Sequence, residues 1–314
     1  MCIRDRRSQL RFEAFFSGPG GGRGHARSLA RRGGVPGAPA CPPTDAPGTL
    51  RAYAGGRVGW GPGCVGSVTQ ELRLAAVAGS AEESTQYASY RFGKVDPAWR
   101  RLPVEERAAM KEAYAEVIEE WQSRMQVLSY SLVGVRPDAD FFFWLLTERY
   151  EDLRDLTADL NSTPLAGWLE TPYSYLAATL SSKYFERDPK RPPRRIVPRK
   201  APYLVVYPFV KVRPWYALSL EDRRRAMQEH AEIGSRFVTI TNHTTYSFGI
   251  DDQEFMTAFE CEEPVDFLHL MMTLRETEAS TYTERDTPIF VGMLEDVRSL
   301  LDSLDGTRAQ VEAG

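Results

Sequence analysis

Cysteine is scarce. Four Cys in 314 residues cannot form the dense bridge framework of a small secreted domain, and their spacing matches no zinc motif. Long apolar runs are missing too. None approaches the roughly 18–20 residues that a membrane helix requires, so no membrane span is expected. An excess of positive charge is also absent, with 39 Lys and Arg against 43 Asp and Glu, and bulk charge therefore gives no reason to expect a nucleic-acid partner. What remains is a chain that is 42% hydrophobic and 11% aromatic, well supplied for a core and unlike a disordered polymer. Its length suits one large domain or two ordinary ones.

These averages join two unlike populations. Residues 1–84 hold 16 of the 24 Gly, three of the four Cys (Cys2, Cys41, Cys64) and no Lys. Their 11 Arg and 6 acidic residues sum to +5, leaving 28 basic and 37 acidic residues, or −9, for residues 85–314. The Gly- and Pro-rich stretch GPGGGRGHARSLARRGGVPGAPACPPTDAPG has neither helical nor strand periodicity, and it lacks the apolar surface to offset its ordering entropy. No apolar core with a small-residue cleavage site marks a targeting peptide. Met1-Cys2-Ile3-Arg4-Asp5-Arg6 resembles a translated sequencing adapter, and Arg, Gly, Ala and Pro without Lys resemble GC-rich DNA read outside its gene. Residues 1–84 are therefore expected to be a disordered or spurious extension. Without them only Cys261 remains, which fits a reducing, cytoplasmic compartment.

The rest of the chain repeats itself. Trp99-x-x-Leu102-Pro103-x-Glu105-Glu106-Arg107 recurs 116 residues later as Trp215-x-x-Leu218-Ser219-x-Glu221-Asp222-Arg223. Each copy opens a helix: Pro103 suits a first turn, and Ser219 with Asp222 makes a cap of the capping-box kind. Strand-like runs precede them at Tyr87–Val95 and Tyr203–Val212. Two more follow each helix, at Val127–Val135 and Asp140–Thr147, then at Phe237–Phe248 and Glu254–Glu260. Each copy closes with an amphipathic helix, near Tyr150–Asn161 and Pro264–Ala279. This is β-α-β-β-α twice, an α+β plan of antiparallel sheets with helices packed outside. The expected divisions are 85–199, with the Arg- and Pro-rich linker Arg187–Lys200 at its end, then 200–305, and a tail over 306–314.

Function has to come from particular residues, because a duplicated α+β unit serves many roles. Only His230, His243 and His269 follow residue 84. Leu220, Met227, His230 and Ile233 share one face of a helix that Gly234 is placed to end. His230 is then either a hydrogen-bonded core histidine or an axial ligand to a flat apolar cofactor, the role a helix-borne neutral imidazole plays for haem iron. In Phe237–Phe248, Val238, Ile240, Tyr246 and Phe248 share one face; Thr239, Thr241, His243, Thr245 and Ser247 share the other. That polar face either meets solvent or lines a pocket in which His243 titrates. Tyr207 and Lys211 lie in the apolar strand YLVVYPFVK, as an ordinary strand tyrosine and a surface cation or as something more specific. The linker cations Lys190, Arg191, Arg194, Arg195, Arg199 and Lys200 are solvated or available to carboxylates and phosphates. Leu270, Met271 and Leu274 form an apolar helical face continuing to Glu278, which is a helix-end charge or a partner that orients a ligating imidazole.

YPxxK, WYxLxxEDRRRxMxEH, SFGIDDQEF, LRETEAS and PIFVG together resemble the chlorite dismutase-like haem family, most closely its coproheme decarboxylase branch. The resemblance covers about residues 86–300 and is most specific in the second half. It implies tandem ferredoxin-like repeats of the dimeric α+β barrel type, haem in the second repeat and a homo-oligomer, often a pentamer. It also implies that His230 is the proximal iron ligand, with Glu278 or its neighbour Glu276 bonded to that imidazole. Tyr207 becomes the redox-active tyrosine, Lys211 and Arg195 the propionate partners, and Ser280 a further hydrogen-bond donor to a propionate. The position thirteen residues after the proximal histidine, Arg in chlorite-degrading members, is His243 here, where it would assist peroxide cleavage. The implied reaction uses hydrogen peroxide to convert two propionates of coproheme to vinyl groups, leaving haem b. Chlorite conversion at the same haem and non-catalytic haem binding are the alternatives.

Overall fold

Alternating side chains in Tyr87–Val95 form β1, which pairs with Phe141–Thr147 (β3) in an antiparallel register running from Tyr87 opposite Thr147 to Gly93 opposite Phe141. Between them lie the helix Val104–Trp121 (α1) and the strand Gln126–Ser131 (β2). The helix Tyr150–Asn161 (α2) and the strands Leu169–Glu170 (β4) and Ser174–Ala178 (β5) follow. The second copy runs Tyr203–Lys211 (β6), Arg213–Ala217 (α3), Leu220–Gly234 (α4), Thr241–Asn242 (β7), Thr245–Tyr246 (β8), Phe255–Cys261 (β9) and Pro264–Leu274 (α5). It ends with Thr283–Arg285 (β10), Phe290–Glu295 (β11) and Val297–Ser303 (α6). The computed structural model describes residues 85–184 and 195–306. The expectations for residues 1–84, for Lys190, Arg191 and Arg194, and for 307–314 lie outside the described residues.

Eight strands close on themselves in the order β1-β5-β8-β9-β6-β11-β2-β3, and β3 returns to β1. The last strand of each copy makes the seams: β5 joins β8 of the second copy, and β11 joins β2 of the first. An eight-stranded barrel is just wide enough for its own side chains to fill. Here Tyr90, Phe92, Tyr130, Phe142, Trp144 and Phe290 do so, each at most 1% exposed. The helices pack outside, α1, α2 and α6 over the first copy and α5 over β6 and β9. Among the described residues no helix is long and apolar enough to cross a membrane.

The duplication reaches down to single hydrogen bonds. Asp140 accepts the backbone N–H of Val95 at 2.9 Å, and Glu254 accepts that of Lys211 at 2.8 Å. The Thr163 hydroxyl donates to the Leu160 carbonyl, and the Thr277 hydroxyl to that of Leu274, both at 2.8 Å. Ser219 caps α4 by accepting from Asp222 N–H at 3.1 Å, whereas Pro103 gives α1 no side-chain cap.

Three expected elements are shorter than their patterns suggest, and the strand expected over Val127–Val135 ends at Ser131. Phe237–Phe248 is not one strand, because i→i+3 bonds from Arg236 to Ile233, Phe237 to Gly234 and Ile240 to Phe237 carry the chain onward as turns. Only β7 and β8 then pair with β9, as two pieces along one edge. Helix α5 stops at Leu274, and Glu278 begins a separate turn, Glu278–Tyr282.

Close packing inside the barrel makes Gly292 a sensitive point. A β-carbon there would lie 2.5 Å from the Phe142 ring and 2.7 Å from the β-carbon of Tyr130. Gly292→Ala is expected to destabilise by about 1–3 kcal/mol, overpacking outweighing the gain from a stiffer unfolded chain. Urea unfolding of the two proteins checks this.

Candidate active site

Strand alternation sends Leu204 and Val206 of β6 into the barrel, and Val205 and Tyr207 outward beneath α5. On β9, Met256 and Ala258 face inward while Phe259 and Cys261 face α5. Helix α4 and the turn Glu278–Tyr282 stand off this outer surface, and a cavity of about 460 Å³ opens between them. Its walls include Phe259, Leu270, Met271 and Leu274, and most of its exposed lining is apolar, as in small-molecule sites.

Three of its polar side chains, His230, Lys211 and Tyr207, are suited to chemistry. His230, on α4, sets Nδ1 3.4 Å from Oγ1 of Thr277. The Thr277 hydroxyl already donates to the Leu274 carbonyl, so its oxygen is free to accept Nδ1–H. That tautomer leaves Nε2 as a bare lone pair, with no hydrogen-bond partner among the described residues. Burial, and then the charge of Lys211, lower the His230 pKa and favour the neutral ring. Lys211 donates from Nζ to the Ala279 carbonyl at 2.6 Å and lies 4.6 Å from the Trp215 ring centroid. Burial lowers its pKa to about 8, against the opposing pull of Glu254, so at pH 7 it is still largely an ammonium seeking an anion. Tyr207 is 4% exposed, and its phenol lies 3.8 Å from the sulfur of Met271, with the Thr257 side chain also beside it. Burial raises it to about 12. It keeps its proton at neutral pH.

Other expected site residues lie elsewhere. His243 points into the barrel, where Nε2 sits 2.7 Å from Oε2 of Glu260 and the ring 5.4 Å from that of Trp144. The polar face it shares with Thr245 and Ser247 is neither solvated nor in the cavity. Those hydroxyls donate to the carbonyls of Met256 and Leu176, so the polar side chains find partners within the protein. Asn242, Thr244 and Tyr246, on the opposite parity, line the cavity instead. Arg195 is exposed and ion-paired to Glu148, away from the cavity lining. Glu278 is exposed, 3.5 Å from Arg225, and makes no bond to His230; the imidazole's partner is Thr277, one residue earlier. Ser280 does line the cavity, though its hydroxyl is already within reach of the Arg275 and Thr277 carbonyls. Of the residues not singled out beforehand, Thr277 was the most accessible. It lies within LRETEAS and matches Thr163 in the first copy.

Two outcomes follow from these environments. A histidine proton-NMR titration should give His230 a midpoint below the ordinary 6.5, and Lys211→Met should move it upward. Because the unfolded chain then takes the proton first, His230 adds stability above about pH 6.5 that is lost as pH falls toward the folded midpoint. His243→Ala should cost about 1–3 kcal/mol in urea unfolding, since it removes the imidazole from the buried Glu260 carboxylate, which keeps its bonds from the Arg199, Lys200 and Ala201 backbone N–H groups.

Comparison with known proteins bears on this site. The chlorite dismutase family model matches residues 106–295. The coproheme decarboxylase of Mycolicibacterium smegmatis is 31% identical over 175 residues, covering 56% of this chain and 75% of that protein. A mutant chlorite dismutase of Candidatus Nitrospira defluvii superposes with a TM-score of 0.64 at 23% identity, over 72% of this chain and 97% of that one, a likeness of fold. A heme-binding protein from Thermus thermophilus superposes with a TM-score of 0.64 at 26% identity, over 70% and 96% of the two chains. With the family model spanning more than half its length, the chain belongs to the chlorite dismutase family.

Proposed function

We propose that the cavity binds an iron porphyrin and that the protein is a haem oxidoreductase that decarboxylates coproheme with hydrogen peroxide. The observation that carries this reading is the meeting, in one apolar cavity, of the bare Nε2 of His230, the ammonium of Lys211 and the protonated phenol of Tyr207. The residues fit the group. A neutral imidazole with its other nitrogen bonded is the form in which histidine ligates a metal. The walls suit a flat apolar ring, and the relatives include a coproheme decarboxylase and a heme-binding protein.

Bound iron porphyrin supplies one-electron oxidation chemistry with peroxide as the oxidant. The chain's residues bind and steer. His230 offers Nε2 to the metal while Thr277 holds Nδ1–H. Lys211 holds a propionate through a charge-assisted hydrogen bond, fixing which side chain is presented for reaction. Tyr207 is a poor base and a poor nucleophile because its phenol stays protonated. Its remaining role is to lose the phenolic hydrogen as an atom and regain one from the propionate β-carbon. Per propionate, one peroxide and one proton are consumed, and carbon dioxide, two waters and a vinyl group are formed.

Incubating the protein with iron coproporphyrin and peroxide should lower the porphyrin mass by two successive losses of a carboxyl group with one hydrogen. Unchanged mass would refute the decarboxylase reading, and oxygen released from chlorite would support chlorite conversion instead. Tyr207→Phe should retain the porphyrin but lose turnover, by a factor on the order of at least 10². His230→Ala should lose the axial-ligand absorption spectrum.

A further inference from the structure

The first copy contains a second pocket, about 230 Å³, in the position that the porphyrin cavity occupies in the second copy. The correspondence follows from strand register. Tyr87 pairs with Thr147 and Tyr203 with Cys261, so β1 matches β6 at an offset of 116 and β3 matches β9 at 114. On this mapping Arg91 stands at Tyr207, Tyr114 at His230, Leu160 at Leu274, Asn161 at Arg275 and Ala166 at Ser280. Every one of these ten residues lines its respective pocket.

The chemistry has changed with the substitutions. Tyr114 offers no neutral imidazole to a metal; it is 3% exposed and its phenol is pushed up to about 12 by burial. Val95 replaces Lys211. The Phe141 ring lies across Gly93, where a β-carbon would come within 2.1 Å of it, and the remaining space is half that of the other cavity. A porphyrin has neither a ligand nor room. What the pocket has instead is the guanidinium of Arg91, half-buried and, among the described residues, hydrogen-bonded to the Thr157 hydroxyl at 3.4 Å. No carboxylate among the described residues pairs with it, while its strand neighbour Lys94 is neutralised by Asp140 at 2.7 Å. Asn161 and Thr171 add polar groups, and Glu170 is an exposed carboxylate at the edge. A planar fork of N–H donors with no carboxylate partner, in a pocket with a largely polar lining, is complementary to a carboxylate, which it binds in bidentate fashion.

We propose that this pocket is a second ligand site, which takes a small monocarboxylate on Arg91 and is distinct from the porphyrin cavity. Sodium butyrate is the probe, titrated calorimetrically into the full-length protein against sodium chloride of matched ionic strength. Saturable butyrate binding is expected to include a site that is at least tenfold weaker in Arg91→Gln and is retained in Lys211→Met. Equal binding by wild type and Arg91→Gln overturns the proposal. So does loss of binding in Lys211→Met, which would assign the anion to the other cavity, and so does an equal response to chloride. Circular dichroism checks that Arg91→Gln folds. If it does not, Ala166→Leu decides, since it narrows the pocket without touching the guanidinium: weakened binding supports the site and unaltered binding overturns it.

Discussion

Strand β6 is hydrogen-bonded along both edges, to β9 on one side and β11 on the other. Its side chains therefore have no freedom to exchange faces, and a shift of one residue would invert them all. Tyr207 and Lys211 are held on the outer surface because Leu204 and Val206 are committed to the barrel interior. The Glu254 carboxylate, accepting the Lys211 backbone N–H and the Tyr216 hydroxyl, ties the end of β6 to the start of β9. The cavity is thus built on a closed, filled barrel, with helix α4 and the turn Glu278–Tyr282 forming its far side.

The electrostatics of the cavity follow from its dryness. Burial favours the neutral forms of His230, Lys211 and Tyr207, and each responds differently. His230 is kept neutral, Tyr207 is kept protonated, and Lys211 is brought to about 8 without losing its charge at pH 7. Under the proposed function, this one environment serves a metal ligand, a hydrogen-atom carrier and an anion anchor. The ammonium's charge also opposes protonation of His230, so anchor and ligand are coupled.

Duplication put two pockets on the barrel and left them unequal. The scaffold bonds are shared: Asp140 and Glu254 hold equivalent backbone groups, and Thr163 and Thr277 bond equivalent carbonyls. Specialisation came from the side chains inside each pocket. Thr277 finds an imidazole to orient, whereas Tyr114 occupies the matching place in the first copy.

The paired Trp-x-x-Leu segments and the strand and helix periods were legible in the residues, because repeat spacing and the two-residue strand period are local properties. His230 was legible as a helix residue on an apolar face, and the family motifs sharpened its reading. Tertiary structure decided the rest. His243 has the period of a strand residue, but the turns before β7 and the buried Glu260 turn its ring into the barrel. Glu278 sits one residue beyond the imidazole's true partner because α5 ends at Leu274. Arg195 resembled an anion ligand until Glu148, 47 residues away in sequence, supplied its counter-charge. Which polar side chains meet a partner depends on contacts between distant segments, and local spacing carries no record of those.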